Sequence, residues 1–258
     1  MHTPLTIDDG TLEVHQSPTA EEAGHAAGAK AARLLKRALD TQPTARVAFA
    51  AAPSQDFCLR ALAATPGIDW GRVVAFQLDD YVGLPPRSPG TFADYLDRQL
   101  FRTVAPGTIH YMSLEGNPGL GERRYAELVA ESPLDLVLLG IGENGHLAFN
   151  DPPEADRFDL KPARLVTLGH ASRVQQVNDG CFPSLDEVPV EALTLTLPTL
   201  LSAQAVVCTV VGARKRNAVT RTLFGPVTAD CPASYLREHP AAALYLDAGS
   251  SPAQPSRR

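Results

Sequence analysis

The stretch DLVLLGIGENGHLAFNDPP, from Asp135 to Pro153, changes character in its middle. Leu136 to Leu139 are apolar at every position, whereas Gly142 to Asp151 are mostly polar or glycine. A short run that is apolar throughout, rather than at alternate residues, fits a strand buried on both faces, as in a parallel sheet. Similar runs lie at Arg46 to Ala51 (RVAFAA), Arg72 to Leu78 (RVVAFQL), Arg164 to Leu168, Ala192 to Leu197, Ala205 to Val211 (AVVCTVV) and Ala242 to Leu246. Helical segments separate them. Ser17-Pro18 reads as a cap and first turn, with Glu21 and Glu22 at the positive end of the dipole and helix to about Leu39. Further helices are expected at Ser54 to Ala64, from the cap Thr91 to about Phe101, at Gly121 to Glu131 and at Ala213 to Leu223. Strands alternating with helices predict an α/β fold, a mainly parallel sheet with helices on both faces, in one domain over residues 1–248. The polar tail Gly249 to Arg258 is expected to fray.

Composition narrows the function. The chain has 258 residues, 44% hydrophobic and 20% charged, with a net charge of −6, which is globular and lacks the basic excess of a nucleic-acid binder. The four cysteines (Cys58, Cys181, Cys208, Cys231) have no CxxC or zinc-type spacing and read as reduced thiols. Asp8 and Asp9 stand where a signal peptide needs a basic start and an apolar run. No stretch approaches the roughly 18 apolar residues of a membrane span. A cytoplasmic protein without membrane or nucleic-acid partners is expected. Oligomeric state is open, a homo-oligomer included.

In parallel sheets, ligands bind at the carboxyl ends of strands, so Ala52-Pro53-Ser54, Asp79-Asp80 and Gly142 to Asp151 draw attention. Gly140, Gly142 and Gly145 form a GxGxxG after a strand, but Asn150-Asp151-Pro152-Pro153 follows where a dinucleotide turn needs a helix. A nicotinamide cofactor is therefore not expected. Glu143, Asn144, His146, Asn150 and Asp151 cluster in this loop, where a histidine oriented by an acid or amide can act as a base. Asn and Asp in a loop equally serve to satisfy its backbone. Of Asp79 and Asp80, extended backbone turns one toward a site, where partial burial would raise its pKa for proton abstraction; a cap or turn is the other reading. Asp79, Asp80, His146 and Asp151 can be drawn as a metal set, but no spacing demands it, and no metal is expected.

FQLDDYVGLP (Phe76 to Pro85) and DLVLLGIGENGHLAFNDPP together resemble the two signatures of the glucosamine-6-phosphate deaminase family. Weaker similarity extends over about Arg46 to Asp247. The resemblance implies a Rossmann-like fold and a small-molecule partner, glucosamine 6-phosphate, converted with water to fructose 6-phosphate and ammonia without a cofactor. It implies that Asp79 moves the C2 proton, that His146 opens the ring, and that Asn144 and Asp151 support His146. It further implies that Arg173 and Lys215 hold the phosphate, with Pro53-Ser54 at the phosphate turn and Gly145 among the substrate-binding residues.

This chain departs from the family pattern in three places. Asp151 stands where Glu is usual, Asn144 is an amide where members have Asp or Asn, and AAAPSQ (Ala50 to Gln55) replaces a turn rich in Gly and Thr. Ala in place of Gly restricts close backbone approach to an anion, which leaves the helix start at Ser54 as donor. The sister 6-phosphogluconolactonases differ after Gly-His, so Ala148-Phe149-Asn150 argues against a lactone hydrolase. A non-catalytic sugar-phosphate sensor would not need both Asp79 and His146.

Overall fold

A computed structural model of the chain describes residues 3–5, 12–112, 114 and 116–252; Asp8, Asp9 and residues 253–258 of the tail lie outside the described residues. Its strands are β1 (Thr3–Leu5), β2 (Glu13–Ser17), β3 (Ala45–Phe49), β4 (Val73–Gln77), β5 (Asp79–Tyr81), β6 (Thr108–His110), β7 (Leu136–Leu139), β8 (Ala163–Thr167), β9 (Glu191–Leu195), β10 (Val206–Val210) and β11 (Ala242–Asp247). The helices are α1 (Ala20–Thr41), α2 (Asp56–Ala64), α3 (Phe92–Leu96), α4 (Arg102–Val104), α5 (Pro118–Ala130), α6 (His170–Asn178), α7 (Leu197–Leu201) and α8 (Arg216–Phe224).

The uniformly apolar runs form the expected sheet. Its order is β1-β2-β11-β10-β7-β3-β4-β6, and every neighbouring pair is parallel except β1 with β2. Burial on both faces explains why these strands carry no polar alternation. One core joins Leu35, Leu59 and Leu62 of α1 and α2 to the sheet. The other joins Tyr125, Leu200 and Leu223 of α5, α7 and α8. From β3 the chain works outward through β4 to β6, then returns to β7 on the other side of β3 and continues to β10 and β11. Strand order thus reverses between β3 and β7, the place where open α/β sheets leave a ligand crevice.

Two runs expected in the main sheet are not part of it. Arg164 to Leu168 and Ala192 to Leu197 supply β8 and β9, which with β5 make a separate antiparallel sheet of order β5-β9-β8. Apolar content alone does not choose a strand's partner; here residues distant in sequence do, with Thr194 opposite Asp79 and Leu193 opposite Asp80. Local readings shift as well. Ser17 closes β2, and Thr19 caps α1 by accepting the Glu22 N–H at 3.2 Å. Thr91 caps α3 as expected, its hydroxyl accepting from the Asp94 N–H at 3.2 Å. The first residues of the tail do not fray: Ser250 is fully buried and its hydroxyl donates to the Val210 carbonyl at 2.7 Å. No helix among the described residues is long and apolar enough to cross a membrane.

Candidate active site

At the strand-order reversal lies a cavity of about 450 Å³, walled by the segments that follow β3, β4, β7 and β10 and by the inward side of α6. All three sequence positions singled out as strand ends contribute to it. Asp79, Ser54, His146 and Lys215 line it; Asn144, Gly145, Asp151 and Arg173 do not.

Asp79 and Asp80 separate as extended backbone requires. The Asp80 carboxylate turns away from the cavity and accepts from Gln77 Nε2 (2.8 Å) and from the backbone N–H groups of Tyr81 (2.8 Å), Phe92 (3.0 Å) and Ala93 (3.0 Å). It thereby ties β5 to the first turn of α3. Asp79 is equally buried, yet among the described residues its carboxylate has no hydrogen-bond partner. Burial, reinforced by the neighbouring Asp80 charge, pushes its pKa well above the usual carboxylate range. A carboxyl so placed is poised to exchange a proton with a bound molecule.

His146 is held from its Nδ1 side. Ser172 Oγ lies 2.9 Å and Asp151 Oδ1 3.2 Å from Nδ1, which leaves Nε2 as the ring nitrogen for the cavity. Asp151 is itself fixed by Ser172 Oγ, by Asn144 Nδ2 at 2.9 Å and by the Gly169 N–H at 3.2 Å. Burial alone would raise this carboxyl, but the hydrogen bonds and charge of His146, with Ser172 and Asn144, hold it well below the usual range. Asn144 also accepts the His146 N–H at 3.1 Å, so it braces both ends of the loop. The loop has little steric freedom. A Cβ on Gly142 would fall 2.2 Å from the His146 ring, so only glycine lets the imidazole fold back over β7. Ala148, on the cavity wall, sits in the left-handed region at φ 50°, a strained backbone of the kind concentrated at functional sites.

Gly145, expected to bind substrate, instead packs against the segment that follows α8, at Cys231: with φ 94° its absent Cβ would lie 2.8 Å from Cys231 Sγ, and its carbonyl accepts the Ala233 N–H at 2.9 Å. Arg173, expected at the phosphate, points out of the cavity, with Nη2 donating to the carbonyls of Leu185 (2.6 Å) and Val188 (3.0 Å). The helix explains this, since residues three and four apart share a face; α6 turns Ser172, Gln175 and Gln176 inward and Arg173 elsewhere.

Lys215 is the buried cation of the site. It lines the cavity, forms no ion pair among the described residues, and burial pushes its ammonium pKa down. Near it, Ser54 Oγ accepts from Gln55 Nε2 at 3.1 Å, and Gly212 adopts φ 95° with open space where its Cβ would be. At the rim, Arg214 joins Glu143 Oε1 (2.9 Å) to Asp179 Oδ1 (3.1 Å), linking the β7 loop to the end of α6.

Sequence reasoning did not single out Ser172, Gln175, Gln176, Asp179, Gly212 or Arg214. The signal available was the spacing of Ser172, Gln175 and Gln176, a polar stripe at helical period with no apolar face to mark a helix. Among the described residues no group of three or more His, Cys, Asp or Glu side chains could hold a metal ion.

Comparison with known proteins agrees with this geometry. A sequence profile of the family described as glucosamine-6-phosphate isomerases/6-phosphogluconolactonase matches residues 18–245. A glucosamine-6-phosphate deaminase from an Exiguobacterium strain is 34% identical over 185 residues, 71% of each chain. Glucosamine-6-phosphate deaminase 1 of Giardia intestinalis is 34% identical over 70% of this chain and 68% of its own. The solved structure of a monomeric glucosamine-6-phosphate deaminase superposes with a TM-score of 0.82 at 28% identity, covering 92% of this chain and 98% of that one. The 6-phosphogluconolactonase of Trypanosoma brucei shares the fold, with a TM-score of 0.75 at 15% identity over 95% of this chain and 98% of its own. With both signatures converging on one cavity, the chain belongs to the glucosamine-6-phosphate deaminase family.

Proposed function

We propose that this protein converts glucosamine 6-phosphate and water to fructose 6-phosphate and ammonia, with Asp79 and His146 as its proton-transfer groups. The observation that carries the reading is one cavity holding both a buried carboxylate that has no hydrogen-bond partner among the described residues and a histidine restrained through Nδ1. Nε2 of His146 takes the proton of the anomeric hydroxyl and returns one to the ring oxygen, breaking the C1–O5 bond to give the open aldehyde. Asp79 then removes the C2 proton while O1 is protonated, giving an enolamine, and delivers a proton to C1. The resulting C2 imine adds water and expels ammonia, leaving the ketose. A carboxyl with a raised pKa suits this shuttle, because the weaker the acid, the stronger its conjugate base toward a carbon-bound proton.

The phosphate is assigned to the end where the β3 and β10 turns meet. Lys215 supplies the charge there, Ser54 Oγ a hydrogen bond, and Gly212 the close backbone approach that the Ala-rich first turn lacks. The test is ammonia release across glucosamine 6-phosphate, galactosamine 6-phosphate and free glucosamine, with 6-phosphogluconolactone as a hydrolase control. The reading expects the first substrate to lead, with free glucosamine slower by orders of magnitude. Lactone hydrolysis without ammonia release overturns it.

A further inference from the structure

Ser172, in the first turn of α6, is fully buried, and the mechanism above does not call on it. Its hydroxyl reaches two groups, His146 Nδ1 at 2.9 Å and Asp151 Oδ1 at 2.5 Å. The direction of those two bonds follows from what each partner can do. Asp151, held ionised by its donors, only accepts. The one hydroxyl proton of Ser172 is therefore directed to Asp151, and a lone pair on the same oxygen faces Nδ1. Nδ1 must then carry the hydrogen, and the lone pair of the neutral imidazole falls on Nε2, toward the cavity. Asp151 Oδ1, at 3.2 Å from Nδ1, demands the same tautomer, but at a longer distance than the serine. The Gly169 N–H donates to the other oxygen, Asp151 Oδ2, and so keeps the carboxylate aligned.

We propose that Ser172 is a positioning residue that relays the orientation of Asp151 to His146 and fixes the tautomer with a basic Nε2. Its consequence for turnover rests on the reading of His146 as the ring-opening base; the tautomer itself does not. Two variants separate hydrogen bonding from packing. Ser172→Ala removes the hydroxyl and leaves a small void, whereas Ser172→Cys fills that space with a slightly larger group that hydrogen-bonds poorly. The ¹⁵N spectrum of histidine-labelled protein, with the His146 signals identified by their loss in His146→Asn, reports which ring nitrogen carries the proton. The parent is expected to show a protonated Nδ1 and a free Nε2. Both variants should move toward a tautomer mixture, with kcat lower by about 10- to 100-fold and KM within about twofold, as for loss of a group that orients another. A parent with the proton on Nε2 overturns the proposal. So does a Ser172→Cys protein that keeps the parent spectrum and turnover. If the parent releases no ammonia while its spectrum moves as expected in the variants, the tautomer assignment stands and the assigned reaction falls.

Discussion

Asp79 on β5 and Asp151 in the β7–β8 loop serve one cavity, and the chain treats them in opposite ways. Asp151 is surrounded by donors from His146, Ser172, Asn144 and Gly169 and is held well below the usual carboxylate range. Asp79 has none among the described residues, and burial lifts its pKa well above that range. Donors around a buried carboxylate stabilise its charge and make it a fixed support; their absence leaves a proton free to come and go. The contrast teaches which acid reacts and which one orients: Asp79 is buried on the cavity wall, and Asp151 is half-buried behind His146.

The comparison breaks most sharply at Asp79. Asp79→Asn should lower kcat by at least about 10²-fold, the low end for loss of a general base. The same change should raise Tm at neutral pH, because it removes a buried charge that no donor offsets. The sign follows from the raised folded pKa. The folded state binds the proton more tightly than the unfolded chain, whose value is near 3.9, so ionising Asp79 destabilises the fold as pH rises. The stability gained by Asn should vanish below about pH 4 and grow as pH rises through the raised pKa, at about 2–4 °C of Tm per kcal/mol. Thermal melts of parent and variant across pH decide it, and an Asn protein less stable than the parent at every pH contradicts the partnerless carboxylate.

Asp151→Asn should do the reverse. Turnover is expected to fall about 10- to 100-fold, since His146 loses its ionic brace while keeping its place. Tm should fall at neutral pH. A depressed carboxylate stabilises the fold above its unfolded pKa and loses that contribution as pH drops through its folded value, so the deficit should shrink below about pH 4. Parallel melts of both variants would then show opposite signs at pH 7 and converge in acid. Curves of the same sign would erase the distinction drawn here.

Lys215 carries the argument to the phosphate end. Lys215→Met keeps the apolar stem and deletes the charge, so KM should rise at least about tenfold, equivalent to 1.4 kcal/mol, with a smaller change in kcat. Steady-state kinetics with glucosamine 6-phosphate measure it. An unchanged KM would move the phosphate away from Lys215, to Arg214 or to backbone donors alone.

Asp80 is the control for its neighbour. Asp80→Ala leaves the Gln77 amide and the Tyr81, Phe92 and Ala93 N–H groups without their acceptor. Stability should drop by about 1–3 kcal/mol, while kcat of the folded protein stays within about a factor of ten. Denaturant melts with assays well below the midpoint separate the two. A turnover loss as large as that of Asp79→Asn would put Asp80 into the chemistry.

Much of this was written locally in the chain. Leu136 to Leu139 are apolar at every position, and Val206 to Val210 at all but Thr209, because both faces of the main sheet are covered, so the parallel core was legible. Asp79 and His146 sit just past such runs, and that placement also marked them. Helix α6 was missed because its inward residues Ser172, Gln175 and Gln176 are polar, and helical periodicity is normally read from an apolar face. The side sheet was misassigned because β8 and β9 differ from main-sheet strands in partner rather than in composition.

The amino-acid sequence by itself determined most of the elements, the carboxyl-end loops and the residue types offered to a sugar phosphate, since these follow from local pattern and chemistry. Only the tertiary structure decided which of two adjacent aspartates would be left without donors, because that rests on Phe92 and Ala93 of α3 reaching Asp80. It likewise decided that Lys215 enters the cavity and Arg173 leaves it, because a helical side chain's destination depends on how its helix is rotated against the sheet. The support of His146 depends on the same kind of placement: Ser172 reaches Nδ1 from a helix distant in sequence, and only the packing of α6 against the β7 loop brings the two together.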